Sequence, residues 1–279
     1  DNELSELEKY FAIARGYQSE KLDLKAFEMK KWFDTNYHYV VPKLTDNLYL
    51  KVNTNFLKDR IKLAKSLALN FKINLIGPFT FLMLSKPKTK TIYDFKDFIL
   101  RNYLEILEFL KTENIEYLQI EEPALTFDLS KKDKKLFKEL YSEILKSKSE
   151  IKIFLQTYFG DVRDIYNDLN QMDFYGVGLD FVSGRENLNL IEKNGFDKEK
   201  IIVAGVIDGR NIWKADYQNV IDVVEKILKF LPEDKVWLSS SCSLLHVPYT
   251  VEAEKKIPHQ IKETLSFAIE KLVELKEIK

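Results

Sequence analysis

Short, nearly continuous apolar runs of strand length alternate along this chain with longer segments whose apolar residues recur every three or four positions. Strands that are apolar on both faces, each followed by an amphipathic helix, mark βαβ units around a parallel sheet. The runs fall at residues 37–41, 73–76, 117–120, 151–155, 176–181, 201–206 and 236–239. Between them, Tyr217, Val220, Ile221, Val224, Ile227, Leu228 and Leu231 line one helical face. Val162, Ile165, Leu169 and Met172 line another, behind Asp161 as a cap. A last helix is predicted from Pro258, which suits a first turn, with Ile261, Leu265, Ala268 and Leu272 turned inward. Residues 1–16 read as an opening helix with Leu4, Leu7, Phe11 and Ala14 on one side and Gly16 behind it.

Seven such units suit a doubly wound sheet or a barrel, and a closed barrel needs eight strands. No strand precedes the opening helix, so a barrel here would lack its first strand, as expected of a sequence that begins inside a larger protein. With 279 residues, 45% apolar composition and no Gly/Ser or Pro linker, residues 1–279 are expected to form one domain.

Charge alters this picture little. The 43 Lys+Arg residues balance 44 Asp+Glu, so no global field recruits nucleic acid or an anionic membrane, and any anion site must be local. The apolar runs fall far short of the ~20 residues that cross a bilayer. Residues 1–20 also lack the apolar stretch of a signal peptide. A single cysteine, Cys242, excludes an internal disulfide framework and any site needing two thiolates, which fits a reducing, cytoplasmic setting.

Ligands of parallel α/β domains gather at the carboxyl ends of the strands. Polar residues cluster there: Lys31, Asp34, Asn36 and His38 at the first run, Gly77 and Pro78 at the second, then Glu121 and Glu122, and Thr157 and Tyr158. Asp180, Asp208 with Arg210, and Ser240 to Ser243 follow, with His246 just beyond. Glu121 or Glu122, Asp180 and Asp208 include the two carboxylates that a glycosidase sets across a cleft. Carboxylates at strand ends equally cap helices and anchor loops. His38, His246 and His259 have no neighbours at zinc-ligand spacing and read as ordinary hydrogen-bonded histidines. Cys242 is either a thiolate ligand or nucleophile, or a small inert core residue. No glycine-rich phosphate loop is present, and Asp208-Gly209-Arg210 reads as a tight turn.

Residues 28–42, EMKKWFDTNYHYVVP, closely resemble a signature of cobalamin-independent methionine synthases. The likeness continues through LIGPFTFLMLSK at 75–86, LQIEEPAL at 118–125, AGVIDGRNIW at 204–213 and SSSCSLLHVP at 239–248, in the family's order and over most of the chain. The resemblance implies an α/β fold of the (βα)8 TIM type, the first of two similar barrels. It implies a part in methyl transfer from 5-methyltetrahydropteroyl-polyglutamate to homocysteine in methionine biosynthesis. In the family a second, carboxy-terminal barrel holds zinc and homocysteine through a His-x-Cys pair, a Glu and a further Cys. Tyr158 and Gly160 stand where that His and Cys would be, so the resemblance implies no catalytic residue, no metal and no cofactor in this chain, which alone would be inactive. Lys31 matches a family position that helps hold the folate's polyglutamate tail, and a flexible ammonium suits a row of mobile carboxylates. The implied partners are thus a polyglutamylated methyl-folate and the carboxy-terminal catalytic barrel. Lys30 replaces the family's usual Thr, and Glu121 its usual Asp, which alters the reach of both side chains. Two rivals stand beside this expectation: a self-sufficient barrel enzyme, a decarboxylase or hydrolase using Glu121, Glu122, Asp180 and Asp208, and a scaffold in which Lys31 binds nothing.

Overall fold

The computed structural model describes residues 4–46 and 50–279. They divide into two compact units: residues up to 46 with Phe81–Phe95, and Leu50–Thr80 with Lys96–Lys279.

The larger unit is built on six parallel strands: β1 (Ile73–Ile76), β2 (Tyr117–Glu121), β3 (Lys152–Gln156), β4 (Gly176–Asp180), β5 (Ile201–Ile207) and β6 (Val236–Ser240). Their spatial order follows the chain from β1 to β6 without reversal. A doubly wound sheet reverses at a switch point, so this order is that of a barrel, two strands short of the eight that close one. The middle strands β3, β4 and β5 are buried almost throughout, while β1, β2 and β6 keep exposed or half-buried positions; the helices that follow the strands include Lys96–Thr112, Lys131–Lys146, Glu186–Asn194 and Tyr217–Leu228. Lys131–Lys146 starts at a capping box, with Ser130 and Asp133 each accepting the other's backbone amide. Inside the sheet, Phe154 packs with Ile201 and Val203, and its ring lies 5.3 Å from that of Trp237. Gly178 makes room for the neighbouring strand: a Cβ there would fall 1.9 Å from Gln156 Oε1. Among the described residues no helix is long and apolar enough to cross a membrane.

In the smaller unit the helix Glu6–Arg15 begins at a Ser5/Glu8 capping box and ends at Gly16, whose φ of 76° is a left-handed conformation suited to glycine. Residues 1–3 of the expected opening helix lie outside the described residues. Leu4 is buried as expected but precedes the helix; within it Leu7 and Phe11 are exposed and Ala12 is buried instead, so the helix's inward face is not the one the spacing predicts.

Two further expectations are corrected. The run at 37–41 is not a sheet strand: His38–Val40 pairs antiparallel with Met29–Lys31 in a separate hairpin. Its loop is closed locally, since the Thr35 hydroxyl donates to the Trp32 carbonyl at 2.7 Å and accepts from the Tyr37 amide. The last helix is also broken. Only His259–Lys262 is helical after Pro258, and the helix resumes at Ala268–Ile278. Between them residues 264–266 pair with 212–214, through Lys214 N to Thr264 O and Ser266 N to Ile212 O. Leu265 is buried as expected, but Ile261 and Leu272 are exposed, and the resumed helix turns Lys271 and Glu274 inward. Their partners are main chain: Lys271 Nζ donates to Trp213 O, and Glu274 Oε1 accepts from Ala215 N.

Candidate functional site

The carboxyl rim of the larger unit is organised by buried carboxylates. β2 alternates its side chains, so Glu121 shares a face with Gln119 while Glu122 turns to the opposite side. Glu122 is fully buried and accepts from the amides of Phe79 (2.9 Å) and Thr80 (2.6 Å) and from the Tyr141 hydroxyl (2.6 Å). Phe79 and Thr80 begin the short helix Pro78–Met83, whose first amides have no helical acceptor. Glu122 therefore ties the end of β2 to the loop after β1. Gly77 is the residue that permits this approach, since a Cβ there would fall 2.1 Å from Glu122 Oε1. Burial pushes the Glu122 carboxyl up to about 7 against the pull of its donors.

Glu121 accepts from the Tyr158 hydroxyl at 2.8 Å, from Asn74 at 2.7 Å and from Gln119 at 3.2 Å. Asp180 is buried and receives three backbone amides, Phe159 at 2.9 Å and Val182 and Ser183 at 2.8 Å each. Burial raises its carboxyl above the ordinary range, and those amides oppose the shift. Phe159 adopts a φ of 74°, an uncommon conformation for a residue with a side chain. Its ring lies 5.1 Å below the Arg210 guanidinium and 5.7 Å from His246. Asp208 accepts from the Arg210 amide at 2.8 Å and from Asn211 Nδ2 at 2.5 Å, the tight turn expected at Asp208-Gly209-Arg210. The sequence reading missed Asn187, which is wholly buried, donates to the Asp180 carbonyl at 2.8 Å and accepts from the Val162 amide. A polar residue in the helix Glu186–Asn194 gives no signal in one sequence that it points inward. Asp161 binds Arg163 at a turn, and the helix it was expected to cap starts later, at Tyr166.

Cys242 is buried, and a Cβ on Gly209 would fall 3.0 Å from its Sγ. Burial pushes its thiol up to about 12, so it is protonated and neither a nucleophile nor a ready metal ligand at neutral pH. Tyr158 turns its hydroxyl to Glu121, and no group of three or more His, Cys, Asp or Glu among the described residues has a metal-binding arrangement. The donor set does not fit zinc. Alkylation of the native protein by iodoacetamide at pH 8 is expected to run on the order of a hundredfold slower than that of free cysteine, and to recover in denaturant. Rapid stoichiometric labelling, read by mass spectrometry, would contradict a buried thiol.

Lys31 lies elsewhere, in the smaller unit, as the last residue of the strand Met29–Lys31 and directly opposite His38. It is exposed and has no ion pair among the described residues. The Trp32 amide donates to the Tyr37 carbonyl at 2.7 Å, closing a loop that carries Asp34 and Asn36 on its exposed side. On the opposite face of the hairpin, Lys30 pairs in register with Tyr39, whose hydroxyl donates to the Leu84 carbonyl. The rim residues of the larger unit are thus brought together at their strand ends, while Lys31 and His38 belong to a hairpin outside that sheet.

Six consecutive parallel strands, with strand-end carboxylates that are largely engaged as loop anchors, define a barrel-type α/β domain. The family model for the cobalamin-independent synthase N-terminal domain matches residues 1–232, and the chain belongs to that family. It is 45% identical over 280 residues to a 5-methyltetrahydropteroyltriglutamate–homocysteine methyltransferase of Lactococcus lactis subsp. lactis (strain IL1403), covering 99% of this chain and 36% of the relative. A protein of the same name from Streptococcus thermophilus (strain ATCC BAA-491 / LMD-9) is 44% identical over 277 residues, again covering 99% of this chain and 36% of the relative. The chain therefore spans about a third of the length of the curated relatives it matches. Among solved structures, a B12-independent methionine synthase from Shewanella sp. W3-18-1 in complex with selenomethionine aligns with a TM-score of 0.61 at 17% identity, over 90% of this chain and 73% of that one. That likeness is one of fold.

Proposed function

We propose that residues 1–279 form one domain, the amino-terminal and non-zinc half of a cytoplasmic enzyme that transfers a methyl group from a polyglutamylated 5-methyltetrahydrofolate to homocysteine. The domain's own part is binding. Lys31 holds a carboxylate of the folate tail, and a carboxy-terminal barrel with its zinc carries the chemistry. The observation that carries this reading is the 45% identity, maintained over 99% of the chain, to a relative named for that reaction. The geometry agrees in two respects. Lys31 is exposed and without an ion-pair partner among the described residues. The Glu122 carboxyl is walled off and saturated with donors, and Asp180 is committed to backbone amides, which speaks against a self-sufficient hydrolase or decarboxylase on this rim.

Calorimetry on the complete two-barrel protein tests the assignment. Lys31→Ala is expected to weaken a triglutamyl methyl-folate by roughly three- to tenfold, the scale of one exposed charge pair on a multivalent ligand, with unfolding unchanged. Equal affinities in variant and wild type would leave the domain a scaffold.

A further inference from the structure

The helices Glu186–Asn194 and Tyr217–Leu228 follow the adjacent strands β4 and β5 and lie side by side against the sheet of the larger unit. Near the start of both helices they part. A cleft of about 300 Å³ opens there, with Phe181, just past β4, and Val206 of β5 at its floor and Leu188 and Val220, one from each helix, as its walls. Phe181, Val206 and Val220 are buried and Leu188 is half-buried, so the lining is apolar and largely sheltered from bulk water. Packed interiors leave few voids larger than one water molecule. At ~30 Å³ per water, this cleft takes about ten atoms of that size, which places it at the small end of the sites that hold small molecules.

Two polar side chains stand among these apolar ones, Arg185 and Asn219. Arg185 holds the N-cap position of the first helix without capping it, and its guanidinium has no hydrogen bond or ion pair among the described residues. The carboxamide of Asn219 is likewise unengaged there. The carboxylates of the two helix starts have other tasks: Glu186 accepts from Asn189 Nδ2 at 2.9 Å, Asp216 from the Asn219 amide at 3.3 Å and Asp222 from Gln218 Nε2 at 2.8 Å. The cleft therefore combines an apolar body with one uncompensated cation. Charge complementarity calls for one anionic group, and a guanidinium offers the paired N–H donors that match a carboxylate. A bare inorganic anion leaves the apolar walls wet, and a neutral apolar ligand leaves the guanidinium unused.

We propose that this cleft is a binding site for an apolar monocarboxylate of about ten heavy atoms, its carboxylate on Arg185 and its hydrocarbon body against Phe181, Leu188, Val206 and Val220. The site bridges two helices that otherwise touch little at this end, so its ligand stabilises the larger unit by mass action. It is independent of Lys31, which belongs to the other unit.

The test uses the full-length protein that contains this chain, with 3-phenylpropionate as probe and 3-phenylpropan-1-ol as its uncharged counterpart, by calorimetry and saturation-transfer NMR. The acid is expected to bind one site with a dissociation constant on the order of 0.1–1 mM, and the alcohol more weakly. R185Q should weaken the acid about tenfold and leave the alcohol unchanged, whereas L188W, which fills the cleft, should weaken both. Arg185 is exposed and its side chain unpartnered, so R185Q leaves the fold intact and decides the matter even where L188W does not fold. The inference is overturned if the acid shows no saturable binding, if R185Q binds it as the wild type does, if R185Q weakens acid and alcohol equally, or if a folded L188W binds both unchanged. Displacement of the acid by an equal concentration of inorganic phosphate also overturns it, because the apolar walls then contribute nothing.

Discussion

Glu122→Ala is expected to lower the stability of the larger unit by about 4 kcal/mol, because it leaves three buried donors, the Phe79 and Thr80 amides and the Tyr141 hydroxyl, without their acceptor. In a protein of this size that corresponds to roughly 10 °C in Tm. Glu122→Gln keeps the shape and one acceptor oxygen but sets an amide against a donor, so it is expected to cost less, and its cost depends on pH. The folded carboxyl is raised to about 7 from an ordinary 4.5, so the folded state binds the proton more tightly than the unfolded chain. The stability Glu122 contributes is then fully present below its unfolded value and is lost as pH rises toward 7. Glutamine has no such dependence. The destabilisation of Glu122→Gln relative to wild type should therefore shrink by about 2 kcal/mol between pH 5 and pH 8. Urea midpoints at the two pH values measure this, and a cost that grows with pH would mean that the folded carboxyl is ionised throughout.

Glutamates 121 and 122 also show where one sequence stops being informative. Both follow the same apolar run, and as residue types they are interchangeable candidates for acid–base chemistry. Only the register of β2 distinguishes them, sending Glu121 to the face of Gln119 and Glu122 into the apolar layer against Tyr141. The middle strands β3 to β5 were legible because burial on both faces leaves an almost unbroken apolar run, and β1, β2 and β6, only partly buried, were legible from their place in the strand–helix alternation. The run at 37–41 looks similar, yet it forms a two-stranded ribbon in which Tyr37 is exposed, Tyr39 and Val40 are half-buried and only Val41 is buried, and the number of faces covered cannot be read from composition. The end of the chain misled for a related reason. Periodicity places Leu272 inward, but Lys271 and Glu274 find main-chain partners in the 213–215 segment, and those hydrogen bonds fix the opposite face. Lys31 gave no signal of its own among many lysines and became a candidate only through the KWFDTNYHY segment around it.

Asp180→Ala should produce the other large loss, about 3 kcal/mol, and a local one. Asp180 Oδ1 accepts the Val182 and Ser183 amides and Oδ2 the Phe159 amide, so truncation leaves three part-buried amides without their acceptor. Asp180→Asn retains an oxygen for Val182 and Ser183 but turns an amide group toward Phe159 N–H, and should cost about 2 kcal/mol. The Phe159 bond also has a second task, since it helps hold a φ of 74° that costs a non-glycine residue of order 1 kcal/mol. Phe159→Gly removes that strain, together with the ring beneath Arg210 and beside His246. If Asp180 enforces the strained conformation, Asp180→Ala should be less damaging in the Phe159→Gly background than in wild type, by about the strain itself. Hydrogen exchange at Phe159, Val182 and Ser183 should quicken together in Asp180→Ala while amides in the middle of β3 and β4 keep their protection. Strictly additive losses, or loss of protection across the whole sheet, would mean that Asp180 supports the fold at large instead of the loop between Phe159 and Ser183.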